Sequence, residues 1–511
     1  MQASKRVVKN TSILYARMLL TVFISLYTTR LTLANLGADN FGLFGLVGGV
    51  IAMLGFLSTT MSSATQRFIS IAQGAGEFDK LRRIFNISLV LHWVTAFLVL
   101  LILEIAGYFF FNGTLNISEG RIEVAKLIYQ FMVMSALFTI ISVPYEAVIT
   151  SHENMLVYAI LGFIESLLKL GIAYFIVYST YDRLLTYGFL MALLSVFLLF
   201  IKQVYCRCKY QECSVDVFQN FDKKIFRQMT SFASWSFLGS TTSLVANYGQ
   251  GVVLNMFFGT TVNAAQNIAN QLNGQLGAFS VNMLKALTPL INKSEGSGNR
   301  ELMLKATMMG SKVSFFLVMA FHIPVLIEMP LILKLWLADV PDFTVIFCRL
   351  LLIRILIEHL FHPVVSAIVA VGNIKSYQIA SSLLLLLPLP VSYFLYTAQQ
   401  PAYAIYVVFI IYTIISSAII VFYAIKHCDL SPSAFMLNVI LRCSLTFILV
   451  FGASFVPHYF IDLDPIRLTS TILTSATAYL LVVFFIGFSR EERSHIKKLV
   501  SSMFKKPSVI K

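Results

Sequence analysis

The sequence predicts an all-α polytopic membrane protein with about fourteen transmembrane helices, built as two six-helix lobes related by pseudo-twofold symmetry plus two extra C-terminal helices. Three observations predict it: an apolar composition, long apolar runs that recur along the chain, and an internal repeat. Of 511 residues, 58% are hydrophobic, 14% aromatic and only 12% charged. The mean hydropathy of +0.80 lies well outside the balance of soluble globular chains.

About twenty consecutive apolar residues cross the roughly 30 Å hydrocarbon core of a bilayer. Runs of that kind fall at 10–35, 42–70, 84–111, 124–149, 155–179, 184–205, 229–257, 263–292, 306–333, 344–371, 376–397, 402–425, 435–460 and 467–488. They must be helices, because hydrocarbon offers the peptide groups no hydrogen-bond partners. They are continuous and lack the ten-residue alternation of a membrane β-barrel. Met1 to Asn10 is short and basic, but the run that follows is too long for a signal-peptide core and has no small-residue cleavage site. It is expected to remain as the first span.

Lys and Arg set the orientation. With the amino terminus in the cytoplasm, inner segments hold Lys5, Arg6, Lys9, Arg67, Lys80, Arg82, Arg83, the cluster from Lys202 to Arg227, and the tail from Arg490 to Lys511. Outer loops hold only Arg121, Lys126, Arg183, Lys334 and Arg467. This bias predicts a multi-pass protein with an even number of spans and both termini cytoplasmic. It also accounts for most of the net charge of +14, so nucleic acid is not expected as a partner. Cys206, Cys208 and Cys213 lack the fourth ligand of a zinc site, and no metal or cofactor is expected. The outer loop "NGTLNIS" holds two glycosylation sequons, which matter only in a secretory-pathway host.

Sliding the chain by 222 residues pairs Gly37, Gly55, Gly74 and Gly76 with Gly259, Gly277, Gly296 and Gly298. A shift of 219 pairs Pro144, Asn154 and Tyr158 with Pro363, Asn373 and Tyr377. Two copies with an even number of spans enter the membrane in the same direction, related by an axis along its normal. The expected organisation is an N-lobe at 1–205, a basic cytoplasmic linker at 206–228, a C-lobe at 229–425, two further spans within 426–488 and a basic tail at 489–511. In that tail Ile496, Leu499, Val500, Met503 and Phe504 share one helical face opposite lysines, the pattern of a surface-lying amphipathic helix.

Ionisable groups inside spans cost about 2.5–3.5 kcal/mol each even on the lenient insertion scale, so they face a bundle interior or water. Some have local explanations. Arg349, Lys312 and Arg17 lie near a membrane surface and are expected to snorkel. Glu165 with Lys169, and Arg354 with Glu358, are spaced i, i+4 and can neutralise each other. His92, His322, His359 and His362 also fall within spans and are expected as packed residues. Arg30 and Lys285 have no acidic residue one turn away on their own helix. Cations lining a cleft attract anions, and guanidinium favours phosphate because it engages two oxygens at once.

The "LG-x-x-x-FG" after span one (Leu36, Gly37, Phe41, Gly42), Arg67 closing span two, the repeat and the buried cations resemble Wzx-type oligosaccharide flippases. These belong to the multidrug/oligosaccharidyl-lipid/polysaccharide exporter superfamily. The resemblance implies two six-helix lobes around a central cavity, alternating access, and transfer of undecaprenyl-pyrophosphate-linked oligosaccharide across the inner membrane. It implies a basic lining that meets the pyrophosphate, carried here by Arg17, Arg30, Arg67 and Lys285, with Lys169, Arg354, Glu146 and Glu358 as further candidates. Lipid-linked oligosaccharide, membrane lipids and a polysaccharide polymerase or export machinery are the implied partners.

Asn263, Gln266, Asn267 and Asn270 line one side of span eight with amides suited to sugar hydroxyls, although interhelical packing accounts for them equally well. Pro144, Pro363, Pro388 and Pro390 are expected kink points. Two other classes remain. A cation-coupled multidrug antiporter of the same fold needs a cavity carboxylate, and span one has none. A membrane polysaccharide polymerase needs a long outer loop, and every outer loop here is short. No Walker loop is present, so direct ATP use is not expected.

Overall fold

The computed structural model describes residues 2–53, 55–109, 111, 122–216, 221–337 and 340–494; side chains at 2–5, 26, 33, 37–43, 45–53, 55–60, 260, 261, 263 and 264 lie outside that description. Outside it fall Asn263, the glycines and phenylalanine of the "LG-x-x-x-FG" motif, the sequons at 112–118 and the apolar face of the tail at 496–504.

Among the described residues every regular element is helical. The order begins α1 (Gln2–Met53), α2 (Gly55–Ala75), α3 (Phe78–Phe109), α4 (Ile122–Ser151), α5 (Met155–Phe175), α6 (Arg183–Lys209) and α7 (Lys223–Gly296). It continues with α8 (Arg300–Ile327), α9 (Met329–Trp336), α10 (Thr344–Val371), α11 (Lys375–Leu386), α12 (Pro388–Thr397), α13 (Ala404–Cys428), α14 (Pro432–Phe435), α15 (Leu441–Phe460) and α16 (Asp464–Val482). Ten stretches among the described residues are long and apolar enough to cross a membrane. The other expected spans fall in α2, in the two legs of α7 and in α10.

Two boundaries differ from expectation or sharpen it. The turn expected after Leu36 does not interrupt α1, whose backbone stays helical to Met53; no proline there removes a donor. In α7 the chain reverses at Gly259, whose φ of 75° and ψ of −169° suit a residue without a Cβ. The Gln266 side-chain oxygen consequently lies 3.1 Å from where a Cβ on Gly251 would stand, which sets the two legs of α7 antiparallel. Pro144 and Pro363 sit inside continuous helices, whereas Pro388 opens α12 where α11 has ended.

The chain divides into two compact units, one of Lys9–Phe237 with Gly296–Gly298, the other of Met1–Val8, Leu238–Glu295 and Asn299–Lys511. In the first, α4 is the hub and packs on α2, α3, α5 and α6. Between helices in lipid the hydrophobic effect is weak, so packing and polar contacts hold them. The hydroxyls of Ser135 and Ser195 meet at 2.9 Å between α4 and α6, and those of Thr65 and Ser88 at 2.9 Å between α2 and α3. In the second unit α10 packs on α8 and α13, while α15 and α16 pair and lie against α8. The fourth helix of each repeat thus contacts the third and sixth.

Local backbone geometry repeats at the shifts read from the sequence. Gly76 and Gly298 both have φ of 73°. Beside them Glu77 N donates to Ala72 O at 3.0 Å, and Asn299 N to Ser294 O at 2.9 Å, the same six-residue helix-ending bond 222 residues apart. At a shift of 219, Glu153 (φ 57°) and Gly372 (φ 94°) end α4 and α10 in the left-handed region.

Residues 206–216, expected as a linker, are packed into the first unit. Cys206 and Cys213 are fully buried in a cluster with Phe85, Ile87 and Val148. His152 meets Glu212 at 2.5 Å and stacks on Tyr210 with ring centroids 4.2 Å apart. Burial pushes the Glu212 carboxyl up, but the hydrogen bond from His152 and a backbone donor leave it below the usual carboxylate value. Buried Asn86 fixes the strand of loop that follows: it donates to Ser214 O at 3.0 Å and accepts from Asp216 N at 2.8 Å. Replacing Asn86 by Ala strands both backbone groups. The expected loss is about 1–3 kcal/mol of stability, read as a lower unfolding temperature in detergent together with faster proteolysis between 206 and 222.

Candidate functional site

α5 starts at Asn154, whose side-chain oxygen accepts from Val157 N. Its residues Tyr158, Gly162, Glu165 and Lys169 recur at intervals of three and four, so they share one face. α1 runs along this helix. Asn10 donates to Glu153 O at 3.0 Å, the hydroxyls of Tyr27 and Tyr174 meet at 2.9 Å, and Asn35 donates to Ala173 O at 2.9 Å.

Arg17 of α1 lies across the α5 face, its guanidinium carbon 4.4 Å above the Tyr158 ring. Gly162 makes the room: a Cβ there would stand 2.1 Å from an Arg17 nitrogen. Arg17 therefore rests in a notch of tyrosine and glycine. Arg30, three residues beyond Tyr27, is exposed. Lys169 and Glu165 pair at 2.7 Å with side chains 40% and 39% exposed. Among the described residues neither Arg17 nor Arg30 has a carboxylate within ion-pair distance.

The other expected members are placed differently. Arg67 is buried, its guanidinium 5.0 Å from the Phe68 ring and 4.8 Å from the Phe232 ring. Glu146 pairs with Lys202 of α6 at 3.1 Å. Lys285 is half-buried on the second leg of α7, within the second unit. On the same leg Gln266 is buried toward Gly251, whereas Asn267 and Asn270 are exposed.

Most remaining membrane-depth charges are answered inside the protein. Lys312 is 1% exposed and bonded to Glu492. Glu492 also completes a reciprocal cap with Ser489, accepting from its N–H at 2.7 Å while donating its own N–H to the serine hydroxyl at 3.2 Å. Arg349 donates to the last carbonyls of α8, Leu326 O at 3.0 Å and Ile327 O at 3.3 Å, where the helix dipole is negative. Arg354 pairs with Glu358 at 2.7 Å. Glu104 accepts from Gln130 at 3.2 Å.

Sequence reasoning missed one group altogether. Glu328, fully buried between α8 and α9, accepts from Arg467 at 3.1 Å and from Thr471 at 3.1 Å and meets His458 at 3.0 Å. These partners sit 130 to 143 residues away on or beside α15 and α16. No spacing in the sequence marks them as partners.

Among the described residues the face of α1 and α5 thus carries Arg17 without a carboxylate partner beside the Glu165–Lys169 pair. The MatE family model matches 15–175, the stretch that contains this face. The match covers about a third of the chain, and MatE-family proteins are membrane transporters, not enzymes. Over 121 residues the chain is 31% identical to EpsK, an uncharacterized membrane protein of Bacillus subtilis (strain 168), a match spanning 24% of this chain and 23% of that one. The fold is similar to an outward-facing multidrug resistance MATE family transporter of the MOP superfamily (TM-score 0.71, 14% identity, 84% of this chain and 96% of the other). It is also similar to a MATE protein in the straight conformation (TM-score 0.64, 13% identity, 97% of each). A third similar structure is a MOP superfamily transporter from Pyrococcus furiosus (TM-score 0.59, 12% identity, 97% of each), described as having a binding pocket of reverse polarity that suggests a different function.

Within the MATE-type fold the Glu328 cluster carries a stability prediction. Arg467→Ala leaves a fully buried carboxylate without its strong cation and is expected to cost about 3–5 kcal/mol. Adding Glu328→Gln removes the stranded charge and is expected to recover a large part of that loss, measured as unfolding temperature in detergent.

Proposed function

We propose that the protein is a flippase that carries undecaprenyl-pyrophosphate-linked oligosaccharide across the bacterial inner membrane by alternating access. One observation carries the reading: among the described residues Arg17 and Arg30 have no carboxylate within ion-pair distance, whereas Glu146, Glu165, Glu328 and Glu358 each pair with a basic residue and Glu104 accepts from the neutral Gln130. A cationic drug seeks a bare carboxylate; a pyrophosphate seeks bare cations. The reverse pocket polarity described for the Pyrococcus furiosus transporter is a precedent for such a departure on this fold.

In this reading Arg30, exposed beside Tyr27, receives the pyrophosphate together with Arg17, and Lys285 is a separate cationic contact within the second unit. Arg67, under its two phenyl rings, holds the buried end of the basic lining. Lys169 is released to the ligand when Glu165 turns to water. Asn263, Asn267 and Asn270 offer amides to sugar hydroxyls. A hydrated polar cavity replaces the water around sugar and phosphate, while the polyprenyl tail stays in the bilayer. A polysaccharide polymerase or export assembly takes the product on the outer side.

Arg30→Ala and Lys285→Ala are expected to abolish surface polysaccharide export in cells while the protein still folds and inserts. Gly162→Ala is the subtler variant. Its methyl displaces only the movable end of Arg17, so unfolding temperature should stay near wild type while export falls. Wild-type export by all three variants, or drug resistance conferred without any effect on glycan export, would favour the multidrug antiporter.

A further inference from the structure

Three stretches of the first unit converge on the side expected to face the cytoplasm: the start of α3, the end of α6 with residues 210–213, and the start of α7. Each sends apolar side chains into one cluster: Leu81 and Ile84 from α3, Cys206 and Cys213 from the second stretch, Ile225 and Met229 from α7. Helical periodicity turns the residues between them outward. Those residues are basic, and Arg82, Arg207, Lys209, Lys223, Lys224 and Arg227 are all exposed. Arg83 meets Asp222 at 3.5 Å and ties α3 to α7. The shared cluster therefore gathers the six cations onto one surface.

The carboxylates nearby are already engaged. Glu77 pairs with Lys80 at 2.6 Å, Asp222 with Arg83, and Glu212 with His152 at 2.5 Å. Asp79 is exposed on the first turn of α3 but outside ion-pair distance of the cations. Among the described residues none of the six has a carboxylate within that distance. Beside them stand two bare rings, Phe78 at 77% exposure and Phe221 at 48%.

We propose that this surface binds anionic phospholipid of the cytoplasmic leaflet, with the headgroups against the six cations and the upper acyl chains against Phe78 and Phe221. A soluble anion would answer the cations and leave both rings in water. A phospholipid answers both, since Lys and Arg stems reach to the phosphates while apolar rings enter the headgroup boundary. Clusters of about four to eight Lys or Arg just beyond membrane helices are the pattern of anionic-lipid recognition. Topology alone asks only that positive charge lie on this side. It does not ask that six cations stay unpaired around one apolar cluster. The proposal is independent of the cargo, because none of the six belongs to the basic lining assigned above.

The test uses full-length protein in nanodiscs that hold equal amounts of dioleoyl phosphatidylglycerol and dioleoyl phosphatidylcholine, with retained lipids counted by native mass spectrometry. Wild type should retain phosphatidylglycerol about tenfold or more over phosphatidylcholine. The preference should shrink in about 1 M ammonium acetate, where the screening length falls to about 3 Å. Arg82→Gln/Arg207→Gln/Lys209→Gln and, separately, Lys223→Gln/Lys224→Gln/Arg227→Gln should each lower it about threefold or more. Unfolding temperature in detergent identifies a triple variant that fails to fold, and the other then decides. The control Lys126→Gln/Lys334→Gln removes cations on the expected outer side and should keep the wild-type preference. No phosphatidylglycerol preference in wild type, a preference kept by the folded triple variants, or an equal loss in the control overturns the headgroup site.

Discussion

An ionised side chain placed at membrane depth must find an opposite charge, a dipole or water. This constraint sorts the polar interior of the protein. Lys312 and Arg467 find carboxylates, and Lys312 is closed off from solvent. Arg349 finds the carbonyl end of α8. Arg17 finds the face of Tyr158, which offers a partial answer only, and Arg30 is left to solvent. The first three belong to the architecture, since removing either partner strands the other. The last two hold charge in reserve.

The same constraint explains which parts were readable from the sequence. Long apolar runs had to be helices, and the i, i+4 pairs Glu165–Lys169 and Arg354–Glu358 form because helix geometry alone brings them together. The repeat was legible because Gly76 and Gly298 serve one backbone need, a left-handed residue closing a helix. Partners on different helices were not legible. Glu492 answers Lys312 across 180 residues and Arg467 answers Glu328 across 139, and neither distance leaves a periodic trace. The partners of Lys312 and Arg17 were not readable either, because they lie on other helices. The basic loop after α6 was legible as a linker by its charge, but its packing was not: Cys206, Cys213 and the backbone partners of Asn86 bind residues 206–216 into the first unit.

Glycine at position 162 illustrates how a site can be hidden in a residue with no chemistry of its own. Tyrosine and arginine suggest a cation–π contact, but only the missing Cβ lets the guanidinium lie flat against α5. A methyl group would not disturb the helices, because the atoms it meets are at the end of a flexible chain. It would disturb only where the charge is presented, so placement of charge and stability of fold are separable at this position.

Separability bears on what this fold does in different proteins. Helix packing, the closing turns and the Glu328 cluster fix the scaffold, and they place no demand on the sign of charge along α1 and α5. A carboxylate already held by Arg or Lys offers a cationic ligand little, since binding must first displace the resident cation and leave it unsatisfied. Uncommitted guanidinium groups have no such competitor, and an incoming phosphate gains their full interaction. The sign of the charges left unpaired, more than the fold that surrounds them, therefore decides the class of cargo.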